Sequence, residues 1–258
     1  MPVYIKVPGL PECCKGKGME EALRWLSRHG LHDEVQFNRQ VYMSPQEAKE
    51  IGELAESLKP KVKLSVHAPY YINLANPEKV AASKKRILDS ADRAERMNAD
   101  IVVFHPGFYG DDKKKAFERV LKACKEMAKK TPVPLGLETM GRQKQFGTIE
   151  ECVQIAREVK GCVPVVDFAH VYARQNGQID YADVFERLKS LKLKHYHTHF
   201  VCVAYGPPGN ERHHLPLSAK EPDFKPLAQL IKKKNFDTSI VCESPLLEID
   251  ALKMLKYF

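Results

Sequence analysis

The sequence predicts an α/β protein of the (β/α)8 class, a TIM barrel, formed as one domain over residues 1–258. Three observations predict it. Short apolar runs alternate with helix-length amphipathic segments along the chain, an order that demands a parallel sheet. The alternation counts to eight units with no dividing linker. The length, 258 residues, suits a barrel, whose usual size is about 250. An open doubly wound sheet is the alternative. The first strand has no phosphate-binding glycine fingerprint after it, which weighs against that topology.

Residues 3–7 read as the first strand and 19–29 as a helix with Gly30 at its end. Residues 34–37 form the second strand. Ser44 and Glu47 make a capping box for a helix reaching Leu58. Residues 64–67 are the third strand, followed by a loop and an amphipathic helix over 77–97. Residues 100–105 are the fourth strand, with a basic helix over 112–130. The fifth strand ends at Glu138, and Thr148 with Glu151 caps the helix that runs to Val159. The sixth ends at Asp167 and precedes a helix over 181–191. The seventh, 195–199, leads into a long loop containing Gly206-Pro207-Pro208-Gly209 and then a helix over 223–234. The eighth ends at Glu243, and a last helix covers 248–257.

Six of these strands stop at a side chain able to bind a metal: His67, His105, Glu138, Asp167, His199 and Glu243. Alternate strand residues point inward in a barrel. Counting back from each terminal residue gives Ile101, Val103 and His105 as an inward set. Gly136 with Glu138, and Ser239, Val241 with Glu243, are two more. The six therefore share one parity and the carboxyl end, where barrel enzymes keep their sites. A lone His or Glu at a strand end is usually a hydrogen-bonded polar residue; six converging are different. Unneutralised carboxylates gathered in one layer would repel, and cations relieve that. Imidazole with carboxylate and no thiolate suits zinc, with manganese or iron as substitutes.

His170 lies one turn past Asp167 and reaches the same centre. On the seventh strand His195, His197 and His199 all have inward parity. His199 is nearest the open rim and is preferred, His195 is deeper, and His197 remains an alternative ligand. The next loop supplies Glu211 and either His213 or His214, with His214 preferred. About nine ligands imply two or three metal ions. Closely spaced divalent ions serve phosphodiester hydrolysis, with Glu138 the natural bridging carboxylate and Glu243 a ligand or an orienter of the nucleophile.

The formal net charge of +8 favours an anionic partner, nucleic acid or phosphorylated metabolite. Seven cysteines without paired spacing, and no visible signal peptide, imply free thiols and a cytoplasmic location. The apolar runs are too short for a bilayer, so membrane roles are excluded, and nothing indicates an obligate protein partner.

Five motifs resemble the endonuclease IV family of apurinic/apyrimidinic (AP) endonucleases, in the family's order over roughly residues 60–245. They are His67-Ala68-Pro69-Tyr70-Tyr71-Ile72-Asn73-Leu74, Phe104-His105-Pro106-Gly107, Leu137-Glu138-Thr139, Val166-Asp167-Phe168-Ala169-His170 and Cys242-Glu243-Ser244. The resemblance implies a single barrel with three zinc ions. It implies cleavage of double-stranded DNA 5′ to an abasic site during base excision repair, leaving a 3′-hydroxyl and a 5′-deoxyribose phosphate. His67, His105 and Glu138 would hold one zinc, and Glu138, Asp167, His199 and Glu243 the second. His170, His214 and Glu211 would hold the third. Tyr70 and Tyr71 occupy the loop that inserts into the DNA stack, and Arg39 the position of a DNA-contacting basic residue. The family's Asp-Arg-His is replaced here by Glu211-Arg212-His213-His214. Its Gly-rich stretch after that loop, and its Asn-Asp after the strand-seven His, are missing. A sugar isomerase or epimerase on the same barrel, and a catalytically impaired damaged-DNA-binding homologue, are the competing expectations.

Overall fold

A computed structural model describes residues 2–258. Eight parallel strands close into a barrel: β1 (Val3–Pro8), β2 (His32–Gln36), β3 (Leu64–His67), β4 (Val102–Phe104), β5 (Leu135–Glu138), β6 (Cys162–Asp167), β7 (Tyr196–Phe200) and β10 (Thr238–Cys242). Each pairs with its neighbours in chain order, and β10 closes on β1 through Val3↔Thr238 to Lys6↔Val241. The outer layer comprises α1 (Gly18–His29), α2 (Pro45–Ser57), α3 (Val80–Arg96), α4 (Lys113–Met127), α5 (Ile149–Glu158), α6 (Phe168–Arg174), α7 (Tyr181–Leu188), α8 (Phe224–Lys234) and α9 (Glu248–Leu255). The α/β barrel expected from the alternation is therefore the fold observed.

Both capping boxes form. Ser44 Oγ accepts from Glu47 N at 3.1 Å while Glu47 accepts from Ser44 N at 2.7 Å. Thr148 and Glu151 repeat the arrangement on α5. Each such cap is worth about 1 kcal/mol.

Strand parity sorts the core. Val102, Phe104, Leu135 and Leu137 join the large cluster between sheet and helices. Ile101, Val103 and Val165 form a separate cluster inside the barrel, with Val163 against it. Gly136 is required there, since a Cβ would stand 2.7 Å from Val165 and 2.8 Å from Ile101. This apolar plug floors the polar layer at the strand ends.

Three segments differ from expectation. Residues read as a long loop form an antiparallel hairpin, β8 (Cys202–Gly206) with β9 (Asn210–Leu215). Glu211-Arg212-His213-His214 shows no apolar alternation because one face of β9 lines the strand-end site and the other meets solvent. The extra helix α6 springs directly from β6, with Asp167 as its cap, and is too short to display a helical period. Helix α3 starts at Val80, because Asn76 Oδ1 takes the N–H groups of Glu78 and Lys79 and holds a turn. All seven cysteines are free. No helix among the described residues is long and apolar enough to cross a membrane.

Candidate metal centre

The strand ends bring nine acid and imidazole side chains into three groups whose donor atoms lie within 4.8 Å of one another. The first is His67, His105 and Glu138; the second is Asp167, His199 and Glu243; the third is His170, Glu211 and His214. Glu138 joins them. Its Oε2 stands 3.1 Å from His67 Nε2 and 3.0 Å from His105 Nε2. Its Oε1 faces the other way, 3.3 Å from His170 Nδ1 and 3.5 Å from His199 Nδ1.

Local structure sets each position. Asp167 and His199 are register partners on β6 and β7. Asp167 Oδ1 accepts the His170 N–H at 2.9 Å, which fixes His170 on the first turn of α6. Glu211 and His214 are three apart and would face opposite ways on a regular strand. The ladder shifts between Ala204 and Tyr205, leaving Arg212 as the extra residue. That bulge puts Glu211 and His214 on one face. His213, the alternative ligand, is exposed.

Three of the histidines are held in one tautomer. His67 Nδ1 lies 2.8 Å from Ala68 O, His170 Nδ1 2.7 Å from Thr139 O, and His214 Nδ1 3.1 Å from Glu243 O. A carbonyl oxygen only accepts, so the proton sits on Nδ1 and the Nε2 lone pair points into the site. His170 Nε2 then faces Glu211 Oε2 at 3.3 Å, and His214 Nε2 faces Glu211 Oε1 at 3.5 Å. Lone pairs opposed at such distances need a positive charge between them. A proton is one solution: although burial would lower it, hydrogen bonding to Glu211 and the charges of Glu243 and Asp167 raise His214 to about 9. A divalent cation is the other.

Unpaired buried atoms favour the cation. Glu138 Oε1, Asp167 Oδ2 and His199 Nδ1, the edge facing Asp167 and Glu243, are buried without a hydrogen-bond partner. Burial raises the Asp167 carboxyl, and the nearby charges of Glu243 and Glu138 add to the rise against the opposing pull of His170. Burial would raise Glu138 too, but the charges of His105 and His199 outweigh it and hold that carboxyl well below the usual range. Buried charge left unpaired is costly, and a cation coordinated by these atoms removes the cost. The donor set, nitrogen and oxygen without thiolate, fits zinc, manganese or iron.

A cavity of about 710 Å³ opens above the groups, lined by the histidines together with Tyr70, Arg142, Gln145, Lys15 and Asn38. Tyr70 is stacked on His105, with centroids 5.9 Å apart, and remains 53% exposed. Tyr71 is exposed and borders an adjoining hollow with Phe108. Arg39 is exposed on the β2–α2 loop, outside the cavity lining. His195 lies deeper, 2.6 Å from Asp237 and 3.0 Å from Ser239.

Two residues escaped the sequence reading. Glu34 is fully buried on β2 and meets His197 and His199; its inward parity with Gln36 was the available signal. Arg174 reaches the carbonyls of Met140, Arg142 and Gln145 and fixes the loop after β5; nothing local in sequence marks it.

A family model described as xylose isomerase-like TIM barrel matches residues 19–257. A protein of Methanocaldococcus jannaschii, described as uncharacterised, is 33% identical over 241 residues, covering 87% of this chain and 86% of that one. A probable endonuclease 4 of Mycoplasmopsis synoviae is 26% identical over 201 residues, covering 73% and 72%. Among solved structures, endonuclease IV from Thermus thermophilus superposes with a TM-score of 0.77 at 19% identity, covering 100% and 97%. A D-tagatose 3-epimerase-like protein does so with a TM-score of 0.73 at 21% identity, covering 98% and 94%. These two likenesses show a shared fold. The match across residues 19–257 shows that the chain belongs to the family of xylose isomerase-like TIM barrels.

Proposed function

We propose that this protein is a metal-dependent AP endonuclease that hydrolyses double-stranded DNA 5′ to an abasic site, as in base excision repair. The carrying observation is the convergence of three His/carboxylate groups around Glu138, whose two oxygens face different groups. Similarity to probable endonuclease 4 sequences supports it. His67, His105 and Glu138 would hold one ion; Glu138, Asp167, His199 and Glu243 a second; His170, Glu211 and His214 a third. Two or three zinc ions, with manganese or iron as substitutes, would supply Lewis acidity for the phosphate and the attacking water.

The chain's own groups do the rest. Glu138 bridges from the centre of the cluster and keeps the groups in one layer. Glu243 lines the cavity and in this reading orients the water and takes its proton. The water oxygen bonds to phosphorus as the P–O3′ bond breaks, and O3′ leaves with a proton. The products are a 3′-hydroxyl and a 5′-deoxyribose phosphate. Tyr70 and Tyr71 offer exposed rings at the rim, where stacking on bases is worth about 1–3 kcal/mol each. Arg142 and Lys15 line the cavity, Arg39 is exposed on the β2–α2 loop, and the net charge of +8 favours a polyanion.

The test is incubation of zinc-loaded protein with a duplex carrying one abasic analogue. EDTA-sensitive incision 5′ to the analogue is expected. An intact duplex, alongside interconversion of ketose epimers by the same preparation, would replace the proposal with a sugar epimerase. Tight binding of the abasic duplex without incision would instead assign a damage-binding role.

A further inference from the structure

We propose that Glu34 is the positioning residue for His199: it takes the Nε2 hydrogen and thereby turns the Nδ1 lone pair toward Asp167 and Glu243. This rests on the metal-centre reading above and adds to it a residue outside the three groups.

His199 is buried between carboxylates on both edges of its ring. Nδ1 lies 3.1 Å from Glu243 Oε1 and 3.5 Å from Glu138 Oε1. Nε2 lies 3.2 Å from Glu34 Oε1, off the hydrogen-bond axis, and has no other partner. A neutral imidazole carries one proton, and the edge that carries it cannot ligate. Three other histidines of the site settle this with a backbone carbonyl, as Ala68, Thr139 and Glu243 do for His67, His170 and His214. His199 projects inward near the carboxyl end of β7, and no carbonyl serves it. Glu34 stands where the carbonyl would be.

Glu34 is itself held rigidly. Ser65 Oγ donates to its Oε2 at 2.9 Å, His197 Nε2 approaches the same oxygen at 2.9 Å, and Gln36 Nε2 donates to Oε1 at 3.2 Å. It is fully buried and is the register partner of Ser65. A carboxylate so fixed presents one acceptor in one direction, which is what tautomer selection needs. A cation lodged among Glu34, His197 and His199 is the rival, because their donor atoms also lie within 4.8 Å. Ser65 Oγ and His197 Nε2 fill Glu34 Oε2, while Gln36 Nε2 leaves one lone pair on Oε1, the oxygen that His199 Nε2 faces.

Two measurements decide. In zinc-loaded wild-type protein, ¹⁵N chemical shifts of the assigned His199 ring should show a protonated Nε2 and a metal-bound Nδ1. A metal-bound Nε2 overturns the proposal, and this readout needs no variant to fold. Glu34→Gln should weaken one class of zinc site by about 10–100-fold in chelator competition, the range for residues that orient a ligand. The site containing His170, Glu211 and His214 should keep its affinity. Folded Glu34→Gln with unchanged zinc affinity at every site also overturns it. Wild-type protein that binds no zinc would overturn the metal centre itself, a different and recognisable failure.

Discussion

Gly141 and Glu211 are in contact that only a glycine permits. A Cβ on Gly141 would stand 2.8 Å from Glu211 Oε2 and 2.9 Å from its Cβ, and 2.9 Å from His170 Cδ2. The Glu211 N–H also donates to Gly141 O at 3.1 Å, so loop and hairpin are tied at this point. Gly141→Ala must displace Glu211 or His170, because the loop itself is anchored by Arg174. The expected outcome is loss of one metal of the set, read by elemental analysis, with the other two sites retained. A stability change of about 1–3 kcal/mol should accompany it. Full metal content in Gly141→Ala would show that the third group is not a binding site.

Glu138→Gln alters the carboxylate whose two oxygens face different groups. It should lower metal content by more than one ion per chain and reduce incision by more than about 100-fold, beyond the range for orienting residues. His67→Ala disturbs only one group and should cost fewer ions. Equal metal content in the two variants would argue against a bridging role.

Chelation should destabilise the fold as well as abolish activity. Asp167 and Glu138 are buried at the strand ends, each with an oxygen that finds no partner in the protein. An ion present at about 1,000 times its dissociation constant stabilises the native state by about 4 kcal/mol. For a chain of this size that corresponds to roughly 10 °C in Tm. Calorimetry with and without EDTA checks it, and identical melting curves would deny metal a place in the folded state.

The barrel and most of its site were legible for the same reason. Buried parallel strands write apolar runs, and a polar residue terminating each run stands out, as His105 does after Val102-Val103-Phe104. Glu34 was not legible because it sits inside β2 between Asp33 and Val35, where a strand-end rule does not look. The choice of His214 over His213 depends on the bulge at Arg212, a ladder feature that leaves no trace in residue spacing. Strand β9 was hidden because it is polar along nearly its whole length, including Glu211 and His214, which face the candidate site. His197 has the same parity as His199 but meets Glu34 one layer deeper, and depth in the barrel is set by strand stagger, which parity does not record.

His32 gives the fold an acid-labile point away from the metal layer. Its Nδ1 accepts the Lys63 N–H at 3.1 Å, a bond that exists only while that nitrogen is unprotonated. Burial, then the charges of Lys6 and Lys63, lower its pKa from 6.5 to about 4. In the unfolded chain the imidazole takes up a proton below about pH 6.5, whereas the folded chain resists until about pH 4. The unfolded state therefore binds more protons across this window, and native stability falls as pH falls through it. The contribution is full above pH 6.5 and gone by pH 4, amounting to about 3 kcal/mol. His32→Gln keeps an acceptor for Lys63 and does not titrate. Urea denaturation of chelated wild type and variant at several pH values isolates the term, because the other histidines cancel in the difference. The variant should lose less stability between pH 6.5 and pH 4, and parallel curves would refute a neutral, buried His32.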